Sequence, residues 1–195
     1  MKRWPFTSLW LFFLVLLGGC HDAPTQFALI GDSPYAQEDL PKYQRMIERI
    51  NETQDINWVV HLGDMKSGIS SCRDEELLRL YALNQQFLAP MVLTPGDNDW
   101  FDCKREIAGG WDRLNRLDKL REIFYTVQPA LPLVSQGGSG PFGDFVENVY
   151  WQDAGVVFAT VHLIGISGKE GGIGLHNNIQ DAAIDWLDHV FEEAR

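Results

Sequence analysis

From residue 26 onward the chain alternates between two patterns of apolar positions. Continuous apolar runs are typical of buried strands, whereas apolar residues three or four positions apart are typical of helices. Strands are predicted at 26–30, 58–62 and 91–94, and helices at 41–52, 74–88 and 111–125. Strands that alternate with helices in this β-α-β-α-β order favour an α/β fold with a largely parallel core.

The second half of the chain has a different pattern. A glycine-rich loop at 136–143 precedes a predicted β-hairpin formed by 148–152 and 156–164, and a second glycine-rich loop follows at 165–174. A final helix is predicted at 180–194 from the helical spacing of Ile184, Leu187 and Phe191. Because no linker or low-complexity tract interrupts 26–195, we expect a single domain there.

The first 19 residues have the pattern of a targeting segment. Lys2 and Arg3 precede an apolar run at 9–17, which is too short to cross a bilayer and typical of a signal peptide. The run ends in a Leu-Gly-Gly-Cys string that resembles a bacterial lipobox, so Cys20 is the expected lipidation site. We therefore expect a signal peptide at 1–19 and a tether at 20–25. The alternative is an ordinary signal peptide or uncleaved anchor with an incidental cysteine.

Lipidation would place the protein in the bacterial cell envelope. His21, rather than an aspartate, follows the cysteine, which favours the periplasmic face of the outer membrane. Two cysteines then remain, Cys72 and Cys103, and in an oxidising compartment such a pair is expected to form a disulfide. Two buried free thiols are the alternative.

Charge narrows the range of partners. The formal net charge is −11 and no basic stripe is present, so the chain should repel the phosphates of nucleic acids. The acidic excess suits a soluble surface or the binding of cations. We expect no nucleic-acid binding.

Each of the first three predicted strands ends in Gly-Asp. The aspartates are Asp32, Asp64 and Asp97, one βα unit apart. Because ligands of open parallel sheets bind at the carboxyl ends of the strands, the three carboxylates should lie along one edge. Converging carboxylates repel one another unless a cation lies among them, and oxygen ligands favour hard divalent cations. A single Gly-Asp is typical of an ordinary turn, but three at successive strand ends favour a metal site.

These motifs resemble those of the calcineurin-like metallophosphoesterases, whose signature runs D-x-H, G-D, G-N-H-[DE], a histidine and G-H-x-H. Asp32 matches the first aspartate, Asp64 the aspartate that bridges two metals, and the Gly-Asp-Asn-Asp string at 96–99 the third element. The resemblance covers residues 27–195 and implies an α/β metallophosphoesterase-like sandwich. Strings around 61–68 and 95–103 resemble an uncharacterised bacterial branch of this superfamily.

The chain departs from the family signature in several places. Pro34 stands where D-x-H has its histidine, Asp97 replaces the asparagine, and Asn98 replaces the catalytic histidine. An amide can hydrogen-bond a phosphate oxygen but cannot donate a proton as a general acid does. The later histidine motifs are absent, so we expect a domain that is incomplete at its C-terminus, with an incomplete site.

The resemblance implies a metal-dependent phosphoesterase that hydrolyses a phosphomonoester or phosphodiester. Two divalent ions, of Mn, Fe, Zn or Mg, would hold a bridging hydroxide for in-line attack. The implied metal ligands are Asp32, Asp64 and Asp97, and the implied catalytic and substrate contact is Asn98. One alternative is a lipoprotein domain that keeps the fold without the chemistry. Another is a carboxylate-only Mg or Ca binding module.

A few other residues have two interpretations. Lys66 is either a contact for a substrate phosphate or a solvated loop lysine. His61 and His162 lie within predicted strands, which favours core positions over ligand roles, and His176 lies in a glycine-rich loop. Trp100 and its neighbour Phe101 either pack in the core or line a substrate wall.

Overall fold

The computed structural model describes residues 25–138, 140–165 and 173–195, apart from two side chains at 173 and 176. The predicted signal peptide, Cys20 and nearly all of the tether lie outside these residues. None of the helices in the described ranges is long and apolar enough to cross a membrane.

Three strands form a parallel sheet in the order β1-β2-β3. They are β1 (Gln26–Ile30), β2 (Ile56–His61) and β3 (Met91–Leu93). The connecting helices are α1 (Leu40–Glu52) and α2 (Asp74–Asn84), so the predicted β-α-β-α-β core and its parallel sheet are confirmed. Helix α2 ends four residues earlier than predicted, because the chain turns at Gln85.

The second half of the chain forms an antiparallel sheet, β4-β5-β6. Its strands are β4 (Val134–Ser135), which was not predicted, β5 (Val149–Asp153) and β6 (Val156–Ala159). The predicted hairpin is present, but β6 ends five residues early. Beyond that point the backbone N–H of His162 donates to the side-chain oxygen of Asn148 (2.7 Å) instead of to a backbone carbonyl of the neighbouring strand.

The described helices also include α3 (Asp97–Trp100), α4 (Arg113–Phe124) and α5 (Ile173–Glu193). Short 3₁₀ segments occur at Gln37–Asp39, Phe101–Lys104 and Glu106–Ala108. The final helix begins seven residues earlier than predicted. Leu175, which lies between the predicted loop and the predicted helix, packs against the apolar cluster around Trp100 and Ile179, and this packing favours the longer helix.

Alternating side chains divide the fold into layers. Val59 on β2 faces the helices α1 and α2, whereas its neighbour Val60 packs with Val149 and Trp151 of the second sheet. The other face of the second sheet is covered by α5, where Trp186 packs on Tyr150. The two sheets therefore form a sandwich with helices on both sides, which is consistent with the predicted class.

Candidate functional site

Three loops meet at the carboxyl end of the parallel sheet. Asp32 and Asp64, each just after a strand, adopt left-handed backbone conformations with φ of 53°. Such conformations are uncommon for non-glycine residues and cluster at functional sites. A Cβ atom on Gly96 would overlap the Asp64 side chain, and one on Gly63 would overlap the backbone of Gly96. The glycines before Asp64 and Asp97 thus let the loops that follow β2 and β3 approach each other.

The Tyr35 hydroxyl joins the first two aspartates. It donates to Asp32 Oδ1 at 2.8 Å and lies 3.3 Å from Asp64 Oδ2, so both carboxylates face one point. Partial burial and the two carboxylates raise the pKa of Tyr35 well above its usual value. Tyr35 was not predicted from the sequence as a site residue, although it stands three residues after Asp32.

Asn98 occupies the same edge. Its backbone N–H donates to Asp64 Oδ1 at 3.1 Å, and its side-chain Nδ2 donates to the Tyr35 hydroxyl at 3.3 Å. The predicted substrate contact therefore lies beside two of the predicted metal ligands. Its role in binding a phosphate stays a prediction.

Asp99 connects the β2 and β3 loops from within. This fully buried carboxylate accepts hydrogen bonds from the backbone N–H groups of Asp64 (2.8 Å), Met65 (2.8 Å) and Gly96 (3.0 Å). Burial raises the pKa of Asp99 to about 7, against the opposing effect of the Gly96 and Met65 backbone donors. Asp99 occupies the acidic position that ends the G-N-H-[DE] element, which could have identified it as a supporting residue.

Several carboxylates lie close together along this edge. Burial raises the pKa of Asp64, and the charges of Asp97 and Asp32 add to this shift, while the Asn98 backbone N–H opposes it. An added divalent cation would relieve the repulsion. Within the described residues, however, no group of three or more histidine, cysteine, aspartate or glutamate side chains is arranged to hold a metal ion.

The donor set fits a hard cation in part. Oxygens of Asp32 and Asp64 converge on one point, and carboxylate oxygens are the ligands that Mg²⁺ and Mn²⁺ prefer. Asp97 lies near enough to affect the pKa of Asp64 but does not complete a three-carboxylate group here. The three-aspartate ligand set and the number of metal ions stay predictions.

Lys66 is buried inside the loops at the carboxylate edge. It is 1% exposed, and its ammonium lies 3.4 Å and 3.5 Å from the carbonyl oxygens of Ser67 and Ser70. Burial lowers the pKa of Lys66, and the nearby carboxylates of Asp99 and Asp102 oppose this shift. The alternative of a solvated loop lysine is therefore wrong, and a contact between Lys66 and a substrate phosphate stays a prediction.

The histidines of the two predicted strands, His61 and His162, are core residues, as the sequence favoured. His61 is fully buried, its Nδ1 accepts from the backbone N–H of Gly63 at 3.1 Å, and burial lowers its pKa to about 4. His162 is also fully buried, with Nδ1 at 2.7 Å from Glu147 and Nε2 accepting from Trp100 Nε1 at 3.2 Å. Trp100 is itself fully buried, so it packs in the core rather than lining a substrate wall. The side chain of His176 lies outside the described residues.

The predicted disulfide is present between Cys72 and Cys103, with Cα atoms 5.6 Å apart. It links the segment that follows the Asp64 loop to the 3₁₀ segment that follows Asp97. Both cysteines are fully buried, and the Cys72 N–H also donates to the carbonyl of Ala108 at 3.0 Å. The bridge therefore restrains two of the three loops at the carboxylate edge.

The chain matches the model of a known protein family. The family model described as calcineurin-like phosphoesterase matches residues 25–190, which is most of the chain. No curated protein and no solved structure matches the chain significantly.

Proposed function

The chain belongs to the calcineurin-like phosphoesterase family, and we propose that it is a phosphoesterase that depends on a divalent cation held by Asp32, Asp64 and Asp97. One observation carries this proposal: oxygens of Asp32 and Asp64, from two different strand ends, lie 2.8 Å and 3.3 Å from the same Tyr35 hydroxyl. Two carboxylates that share a point in space favour a cation there. Family membership supports phosphate esters as the substrate class.

The residues at this edge would have distinct tasks. A divalent cation would supply the Lewis acidity that polarises a phosphoryl group. Asp32 and Asp64 would bind the cation, and Asp99 would fix the Asp64 backbone through its 2.8 Å hydrogen bond. Asn98 would donate its side-chain N–H to a phosphate oxygen, but an amide cannot protonate a leaving group. We therefore expect substrates with good leaving groups to react fastest.

Metal binding and hydrolysis test this proposal together. Mn²⁺ is titrated into the purified chain by calorimetry, and hydrolysis of p-nitrophenyl phosphate and bis-p-nitrophenyl phosphate is measured with Mn²⁺ present. Asp64→Asn should abolish both signals, whereas Asp118→Asn, which alters an exposed carboxylate on α4, should preserve both. Unchanged metal binding in Asp64→Asn would refute the site. Metal counting would distinguish one bound ion from the two that the resemblance implies.

A second candidate function is a binding domain that keeps the fold without catalysis. Two observations favour it: an amide stands where the family has its catalytic histidine, and the described residues contain no group of three metal-ligating side chains. In that case the same experiment would show no hydrolysis of either ester, with or without binding of Mn²⁺.

We also propose that the mature protein is anchored to the membrane through a lipid on Cys20, facing the periplasm. This proposal rests on the Leu-Gly-Gly-Cys string after the apolar run. Growth with radiolabelled palmitate should label the wild-type chain and leave a Cys20→Ala variant unlabelled. Equal labelling of the two proteins would refute the anchor.

A further inference from the structure

Arg105 lies on a rigid segment beside the carboxylate edge. Its backbone carbonyl accepts hydrogen bonds from the N–H groups of Gly109 (3.1 Å) and Gly110 (3.0 Å), just after the Phe101–Lys104 segment that the disulfide restrains. Its guanidinium Nη1 lies 2.8 Å from Asp102 Oδ2 and donates to the Gly68 carbonyl at 3.2 Å. Both the backbone and the side chain of Arg105 are therefore held in place.

The guanidinium remains open to solvent although it is held. The Arg105 side chain is 45% exposed, whereas that of its partner Asp102 is only 4% exposed. Both contacts use one nitrogen, Nη1, of a group that has five N–H donors, so donors remain for an external anion. Because the Arg105 side chain is already ordered, it loses little further conformational entropy when it binds a ligand.

The position of Gly68 places this guanidinium next to the site. A Cβ atom on Gly68 would lie 2.6 Å from both Arg105 Nη1 and Asn98 Oδ1, so those two atoms are within about 5 Å of each other. Asn98 in turn donates to the Tyr35 hydroxyl between the two aspartates. Arg105 therefore lies on the same edge as the proposed metal ligands.

A phosphate that approaches this edge meets several negative carboxylates. A cation among them offsets part of the repulsion, and a second positive charge is needed on the outer side of the phosphate. Asn98 supplies only a neutral donor where the family has a histidine. The planar guanidinium of Arg105 carries a permanent charge and matches phosphate geometry with paired N–H donors.

We infer that Arg105 is a substrate-binding residue that contacts the phosphoryl group of the ester. This inference rests on the proposed function and adds to it a residue on which the phosphate docks. Asp102 then acts as the positioning residue that holds the guanidinium. Gly68 lets the side chains of Asn98, Asp102 and Arg105 pack close together, because a Cβ atom at position 68 would overlap all three.

Binding of inorganic phosphate to the Mn²⁺-loaded chain tests the inference without any need for turnover. By calorimetry, Arg105→Ala should weaken phosphate binding at least tenfold. Arg105→Lys should weaken it less, because lysine keeps the positive charge but lacks the paired N–H donors of the guanidinium. Affinity for Mn²⁺ should stay within twofold of the wild type. Arg49→Ala, which removes an exposed arginine of another i,i+3 ion pair on α1, is the matched control and should leave phosphate affinity unchanged.

A purely structural role for Arg105 predicts a different result. If it only neutralises Asp102, the double variant Arg105→Ala/Asp102→Asn should recover both stability and phosphate affinity. We expect the double variant to recover thermal stability and to bind phosphate as weakly as Arg105→Ala. Wild-type phosphate affinity in either variant, or no phosphate binding by the Mn²⁺-loaded wild type, would overturn the inference. Phosphate binding without hydrolysis would leave it standing and count against the proposed catalysis alone.

Discussion

The Asp99 carboxylate holds the backbone of Asp64 across two loops, with Oδ2 2.8 Å from the Asp64 nitrogen. The same oxygen accepts from Gly96 N–H and the other oxygen from Met65 N–H. Asp99 is fully buried, so these donors replace water as its hydrogen-bonding partners. A carboxylate that makes no direct contact with a substrate thus sets the position of one that would bind the metal.

Asp99→Asn should therefore damage both stability and metal binding. The amide has one acceptor oxygen in place of two, so at least one buried N–H group loses its partner, at a cost of about 1–3 kcal/mol. The Asp64 loop should loosen, and Mn²⁺ affinity should fall several-fold. Urea unfolding and calorimetry measure the two effects, with the exposed Glu48→Gln as a control. Wild-type stability and wild-type Mn²⁺ affinity in this variant would show that the Asp99 hydrogen bonds do not position Asp64.

Tyr35→Phe should strengthen metal binding. The Tyr35 hydroxyl lies 2.8 Å from an oxygen of Asp32 and 3.3 Å from an oxygen of Asp64, so a cation that binds these oxygens competes with its proton. A hydrogen bond to a charged group contributes about 1.5–3 kcal/mol, so its removal should raise Mn²⁺ affinity about tenfold. Tyr81→Phe, on α2, is the matched control. A fall in affinity would instead identify the phenol oxygen as a metal ligand.

Much of the fold and part of the site are readable from local sequence. Apolar runs that end in Gly-Asp indicate both the strands and the edge where their carboxylates lie, because strand order and polarity follow from simple βα repeats. The role of Lys66 is not readable in this way, since its burial depends on how two loops pack. Likewise, Tyr35 and Arg105 reach the site through contacts between segments distant in sequence, for which periodicity carries no signal.

Glu147 should make the protein sensitive to acid. Burial alone would raise its pKa, but hydrogen bonds from His162 (2.7 Å) and Arg121 (2.8 Å and 3.0 Å), with the charge of Arg121, lower it below the usual 4.5. A lowered folded-state pKa stabilises the protein above the unfolded-state pKa. That stability is lost as the pH falls from about 4.5 through the folded-state value. Urea midpoints measured between pH 7 and pH 3 should show this loss.

Glu147→Gln provides the comparison for that pH dependence. The substitution removes the closer carboxylate partner of the largely buried Arg121 and leaves it only the exposed Asp118 at 3.8 Å, so we expect a loss of about 3–5 kcal/mol at pH 7. The difference between variant and wild type should shrink as the pH falls below 4.5. Glu122→Gln, which breaks a solvent-screened pair with Lys119, should change stability far less than Glu147→Gln does. A constant difference across the pH range would exclude Glu147 as the titrating group.

The disulfide between Cys72 and Cys103 should stabilise both the fold and the metal site. It closes a loop with a sequence separation of 31 residues, for which chain-entropy estimates give about 3–4 kcal/mol. Because it joins the segments that follow Asp64 and Asp97, its loss should also weaken Mn²⁺ binding. Cys72→Ser/Cys103→Ser should lower the midpoint of thermal unfolding and reduce Mn²⁺ affinity several-fold. Reductant should produce the same two changes in the wild type and neither in the double variant. If metal affinity is unchanged while stability falls, the bridge supports the fold without ordering the ligands.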